Sequence, residues 1–430
     1  MNQLFFLFKT LLLTCLLLSC KKEGPITEPP LEPGGGHGNV LPMGQPVGEL
    51  YTEFVGVDGG VVKSPDGRIE VNIPAGALTR ETEIGIQPLK NTAKSGIGFS
   101  YRLTPHGTVF KKNVTITFSY KKDARRISSE KGLEVAYQNK KGEWMCLGNA
   151  VKDPVNKTIS VKTDHFSDWA FLETLELSPV VKTVHVSERI TLQALRNVSP
   201  GDEDYLAPLV DSAAATVQPT LIDPKYIVRW TLNGPGTLEA KGNQAFYTAP
   251  PTKPARNTAT VTVELKIKGK QVLLISTIYI VDEGISLSVD DSPFKSYTGT
   301  ATKTPDGIRF GFVNHRTAND MPQIICLWPK RGPKAEGFFS WSQLSDDDNH
   351  VSFKYVVPDF SRTYTSAFVN QGDEVEDSGG FIQVEELDEN GKKFIAGIFV
   401  IENSGIIESA TAEQSGIGNI IGTFKLLRTW

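Results

Sequence analysis

Arg68-Ile69-Glu70-Val71-Asn72-Ile73, followed at once by Pro74-Ala75-Gly76-Ala77-Leu78, decides the fold class. Ile69, Val71 and Ile73 are apolar, and the residues between them are polar. A period of two puts every second side chain on one face, the pattern of a strand with one side in a core and the other in water. Pro74 and Gly76 then break the run, since proline offers no N–H to a ladder and glycine supplies turn conformations. Working outward, the alternation returns in Val114-Thr115-Ile116-Thr117-Phe118 and in Thr158-Ile159-Ser160-Val161. Asn139-Lys140-Lys141-Gly142 reads as the turn of a hairpin joining 133–137 to 144–147.

Composition carries the same reading to the whole chain. Its 430 residues imply roughly three domains. The 39 glycines and 26 prolines make up about 15% of the chain, above the usual ~12%, which favours short strands joined by turns. Four methionines beside 22 phenylalanines fit an all-β chain. With 22% charged and 39% hydrophobic residues, the chain is neither a disordered tail nor a multi-span membrane protein. A net charge of −4 argues against a nucleic-acid binder.

Residues 4–18 are nearly all apolar, too short a run to span a bilayer comfortably but suited to the core of an export signal. The run ends in Leu17-Leu18-Ser19-Cys20, which resembles the bacterial lipobox. The resemblance implies a signal peptide over 1–19, removed before Cys20. It also implies a diacylglycerol thioether on the Cys20 thiol and acylation of the new amine, as with palmitate. More than one acyl chain anchors stably, because each buried methylene contributes about 0.8 kcal/mol and a single chain is marginal. Residues 20–54 are rich in Pro and Gly and lack apolar periodicity, so they read as a tether. Surface-exposed lipoproteins of Bacteroidota often carry an acidic cluster after the lipidated Cys. The Lys21-Lys22-Glu23 found instead points to an outer-membrane protein facing the periplasm.

The region 55–175 carries Gly59-Gly60-Val61-Val62, Ile73-Pro74-Ala75-Gly76-Ala77-Leu78, Leu103-Thr104-Pro105-His106-Gly107 and Phe110-Lys111-Lys112-Asn113-Val114-Thr115-Ile116 in order. This series resembles the ZU-five domain of netrin receptors, ankyrins and zonula occludens proteins, and implies a β-sandwich that serves as a protein-interaction module without a cofactor. Near its end stands His165-Phe166-Ser167. In a few relatives a His-Phe-Ser triplet is a self-cleavage site. Carried over, Ser167 would attack the Phe166 carbonyl with His165 as base and local strain as driving force. The alternative makes Phe166, Trp169 and Phe171 core residues of a closing strand, with His165 hydrogen-bonded nearby.

The region 176–283 again reads as strands. Trp230 before Asn233-Gly234-Pro235-Gly236, with Ala245-Phe246-Tyr247-Thr248-Ala249-Pro250 after it, resembles bacterial immunoglobulin-like domains. That resemblance implies a second sandwich with Trp230 on a central strand between two sheets. Residues 200–224 read as a surface loop, in which Asp211-Ser212-Ala213 matches an O-glycosylation pattern described for Bacteroidota and makes Ser212 a candidate acceptor. The region 284–430 is a third β domain. Its closing segment is similar to a lipocalin-like domain of Bacteroidota lipoproteins. A closed barrel would let Phe310, Phe312, Trp328, Phe399 and Phe424 line an apolar ligand site, whereas a solid sandwich would use the same rings as core.

Enzyme signatures are not found: no nucleophile elbow, no His-Glu-x-x-His, no phosphate-binding loop and no dinucleotide glycine pattern. The six histidines have no metal-like spacing, and Asp346-Asp347-Asp348-Asn349 lacks the glycine and distal glutamate of a known calcium loop. Cys146 and Cys326 stand in separate strand-like runs and read as buried, unbridged thiols. The expectation is an all-β chain of three sandwich or barrel domains behind a lipid anchor. It is expected to be non-enzymatic, without cofactor or metal, and to bind the membrane through Cys20 and an envelope protein or glycan through its domains. Self-cleavage at Ser167 and an apolar-ligand carrier are the alternatives.

Overall fold

The alternating run folds as it reads. In the strand Ile69–Ile73, Ile69, Val71 and Ile73 point into a core, while Glu70 and Asn72 face outward. Fully burying each such aliphatic side chain contributes about 1.5–3 kcal/mol. The strand sits between Gly60–Lys63 and Val109–Ser119 in a five-stranded antiparallel sheet completed by Thr158–His165 and Val151–Asp153. The computed structural model describes residues 39–198, 214–267, 269–290, 292–345, 349–389 and 391–430. The segment 1–19, Cys20, Ser212 and Asp346–Asp348 lie outside these, so the lipidation, glycosylation and acidic-cluster expectations do too.

Facing this sheet is a second one, ordered Tyr51–Val55, Thr82–Leu89, Ser100–Thr104, Asp168–Glu173, Leu133–Gln138, Trp144–Cys146. Its inner face, with Ile84, Ile86, Leu103, Val135 and Trp169, closes the first core. The hairpin at 139–142 forms as expected: Gly142 donates to the Asn139 carbonyl at 2.9 Å and holds φ at +84°, a conformation that glycine adopts without strain.

Two expectations about irregular chain need correction. The stretch 20–54 does not run free to Phe54. From Asn39 it is strapped to the body, with Leu41 N–H donating to the Gly142 carbonyl at 2.8 Å and Lys90 N–H to the Gln45 carbonyl at 2.7 Å. Tyr51–Val55 then pairs antiparallel with Thr82–Leu89 as an edge strand. Prolines and glycines broke the periodicity there, but backbone groups need no periodicity to pair. Likewise, 200–224 is not wholly a loop. Ala214–Leu221 is a strand that pairs with Trp144–Cys146 on one side and Arg189–Val198 on the other. It thereby fuses the first and second regions into one continuous sheet that runs on through Gln244–Thr248 to Thr237–Lys241.

The second region completes its sandwich with a four-stranded sheet: Val181–His185, Lys270–Val281, Thr258–Ile267, Ile227–Asn233. Its first strand is parallel to the second and the remaining pairs are antiparallel. Trp230 stands on the edge strand of that sheet, half-buried, with its indole N–H donating to the Gly242 carbonyl at 3.0 Å. The central place expected for it belongs to Thr258–Ile267 and Lys270–Val281, whose Val261, Val263, Leu265, Leu274 and Ile278 fill the core.

The third region is one strongly curved sheet that nearly closes on itself. Its order is Lys295–Tyr297, Gly284–Val289, Gln414–Leu427, Lys392–Glu408, Arg362–Thr365, Ser352–Val356, Gln323–Pro329, Arg309–Asn314, Gly299–Lys303. Ala301 on the last strand meets Arg428 in a parallel bridge, just past the end of Gln414–Leu427. Gly379–Glu389 also pairs with the long strand Lys392–Glu408 and carries Gly337–Ser340 on its far edge.

Candidate functional site

The run Lys121-Lys122-Asp123-Ala124-Arg125-Arg126 leaves the strand Val109–Ser119 as a single 3-10 helix, Lys121–Arg126, and lies where all three regions meet. Of its charged residues only Asp123 is buried, with Lys122 and Arg126 half-buried, and a buried carboxylate is costly unless it finds a counter-charge. Asp123 is 1% exposed and takes the Arg68 guanidinium in a short hydrogen-bonded ion pair, with Arg126 at 3.5 Å from its other oxygen. Arg68 reaches on to the third region and donates to Ser340 Oγ at 2.7 Å. Arg125 donates to Glu402 at 2.7 Å, and the Arg126 guanidinium lies 3.5 Å from the centroid of the Phe338 ring, which itself stacks on Phe381. The second region joins the third through Lys182 and Glu385 at 2.9 Å and through Asn257 donating to Thr423 at 3.1 Å.

Beside this helix lies a cleft of about 490 Å³, in the size range of small-molecule sites. Its wall from the first region is Ser95-Gly96-Ile97 with Arg126 and Glu173; Glu176, Val180 and Val181 come from the second, and Phe338 and Gln383 from the third. Glu173 is 2% exposed, with Oε1 accepting from the backbone N–H groups of Ser128 at 2.7 Å and Ser129 at 3.0 Å. Burial pushes its carboxyl well above the ordinary range, against the pull of those two N–H groups, and neighbouring Glu176 adds to the rise. Burial also raises Glu176, which accepts from Asn197 at 3.1 Å. Burial lowers the Arg126 guanidinium, with Asp123 opposing.

The triplet singled out in the sequence sits at the opposite end of the first core. Phe166 is 1% exposed and packs edge-on against Phe110, with centroids 4.7 Å apart. Its carbonyl accepts from Gly107 N–H at 3.0 Å. Ser167 is 5% exposed, and its hydroxyl donates to the Gln138 carbonyl at 2.7 Å. His165 has Nδ1 within 3.1 Å of Thr163 Oγ1 and packs against the rings of Tyr137 and Trp169, which also touch each other. Next to them Arg102 grips Asp168 through two bonds of 2.7 Å. The two groups named for self-cleavage are thus engaged with Gln138 and Thr163.

In the third region Phe310, Phe312, Trp328, Phe399 and Phe424 are all 0% exposed and pack on one another, with Phe312 and Phe424 centroids 4.8 Å apart and Phe312 and Phe399 5.9 Å apart. Cys146 and Cys326 are free, buried thiols, and burial raises both above the ordinary thiol range. Among the described residues no three His, Cys, Asp or Glu side chains gather as a metal site.

Sequence reasoning missed Arg126, Glu173 and Ser95 altogether. One signal was available: five charges in the six residues 121–126, directly after an alternating strand, are too many for an idle turn. Compared with known proteins, the chain matches no protein-family model, and no curated protein matches it.

Proposed function

We propose that this chain is a lipid-anchored protein of the bacterial envelope, held at the outer membrane through Cys20, that binds or scaffolds an envelope partner and catalyses no reaction on it. The observation that carries this reading is the way the chain enters its body. From Asn39 the strap is hydrogen-bonded across the first region and ends as a sheet strand, so an anchor upstream would be joined to a stiff body rather than to a loose domain. The charged junction at Lys121–Arg126 supports the same reading, because it fixes three β regions in one arrangement that can present a constant surface. The ZU-five-like and immunoglobulin-like features of the sequence agree with binding modules. The engagement of Ser167 with Gln138 and the mutual packing of the barrel aromatics weigh against the self-cleaving and carrier alternatives.

The test is the intact mass and membrane partition of the full chain, extracted in detergent from a Gram-negative envelope. A single species beginning at an acylated Cys20 is expected, and Cys20→Ala should move it to the soluble fraction. Unchanged partition of that variant would overturn the anchor. Two fragments whose masses sum to the mature chain plus one water, the second beginning at Ser167, would put self-cleavage in place of this proposal.

A further inference from the structure

The cleft beside Lys121–Arg126 has a carboxylate acceptor that none of the described residues uses. Glu173 Oε2 accepts from none of the described residues, although the side chain is almost wholly buried. Ser95 borders the same cleft and is 8% exposed; its Oγ has no partner among the described residues but is itself closed off from the open volume. Glu176 completes this wall, hydrogen-bonded by Asn197 at 3.1 Å and by the Ser178 side chain. The open volume of about 490 Å³ is bordered by Glu173 and Glu176. The cations nearest to them are shared with other groups: Arg126 acts on Glu173 but also lies on Phe338 and beside Asp123, and Lys182 is bound to Glu385. Lys94 is exposed at the rim.

We infer that the cleft is a binding site for a small organic cation, a primary amine or guanidinium whose N–H groups donate to Glu173 and Glu176. A carboxylate taken out of water is costly unless it gains a counter-charge and donors, and an ammonium or guanidinium brings both. The raised carboxyls on this wall agree, because burial disfavours their charged forms until a cationic donor enters the cleft and offsets that cost. Val180, Val181 and Phe338 offer apolar surface for the methylene chain of such a ligand. The inference does not depend on the anchor at Cys20, so each can fail without the other.

The test is calorimetric titration of the full chain in detergent with agmatine, with cadaverine and with glutarate, an anion of similar length. Saturable one-to-one binding of the two amines, and none of glutarate, is expected. Glu176→Gln should weaken amine binding about tenfold or more, as loss of a charge-assisted hydrogen bond does. Gln383→Lys, which places an ammonium in the cleft, should abolish it while the fold is kept. Binding of glutarate as tight as that of the amines, or no saturable binding of either amine, would overturn the assignment. So would unchanged affinity in a folded Glu176→Gln or Gln383→Lys variant. If the first variant does not fold, the second decides.

Discussion

The core of the third region and the junction at Lys121–Arg126 solve the same problem, holding distant strands together, by opposite means. Inside the barrel-like sheet the contacts are rings on rings and rings on bare backbone. A Cβ built at Gly422 would fall on the Phe399 ring, and one at Gly397 on the Gln383 carbonyl oxygen with the Phe424 ring beyond it. Such packing is non-directional, and its strength grows with the area removed from water. At the junction the groups are charged, and each must meet a particular partner: Arg68 with Asp123 and Ser340, Arg125 with Glu402, Arg126 with Phe338. The difference shows that stability and arrangement are separate products of this sequence. Apolar burial makes each region fold, whereas paired charges choose how the regions sit against one another, since a buried ion pair adds little net stability but a misplaced one costs a great deal.

The largest effect is expected in the barrel. Phe399→Ala should cost about 4 kcal/mol in urea unfolding, the usual price of a large cavity in a packed core. A loss below about 1 kcal/mol would mean that the rings enclose yielding space, and would revive the carrier reading. Asp123→Asn should follow at about 3 kcal/mol, because it leaves two guanidinium groups facing each other at a buried site. Hydrogen exchange should then show Gly337–Ser340 opening while the amides of Lys392–Glu408 stay protected. Equal loss in both places would erase the distinction between core and junction. Gly422→Ala tests the closeness of ring to backbone and should destabilise by about 2 kcal/mol.

The smallest effect is one of pH. With Glu173 raised in the folded state, the native chain holds a proton that the unfolded chain has lost at any pH above the ordinary 4.5 and below the folded value. Stability therefore falls as pH rises through that window. Glu173→Gln should flatten this part of the stability profile, measured by denaturant unfolding from pH 4 to 8. An unchanged slope would show that Glu173 ionises freely and that the cleft wall is wetter than its burial suggests.

Much of the architecture was legible because alternation is local. Residues 69–73, 114–118 and 158–161 carry their own evidence of which face is inward, and each became a strand with that face buried. The strap from Asn39 and the strand Ala214–Leu221 were illegible for the complementary reason. Their place is set by backbone hydrogen bonds to partners far along the chain, which leave no mark in side-chain pattern. Trp230 was misplaced because an aromatic on a strand says that it is partly covered, not whether its strand lies at the middle or the edge of a sheet.

The amino-acid sequence by itself determined that this chain is all-β, where its strands alternate, and that Cys146 and Cys326 would be buried and unbridged. These depend on the period of neighbouring side chains and on the cost of exposing apolar surface. Only the tertiary structure decided that the first two regions share a sheet, that the barrel aromatics fill one another's space, and that Ser95, Arg126, Glu173, Glu176 and Phe338 border a single cleft. The reason is that charge pairing and cavity shape depend on distances between residues hundreds of positions apart, and those distances exist only once the chain has folded.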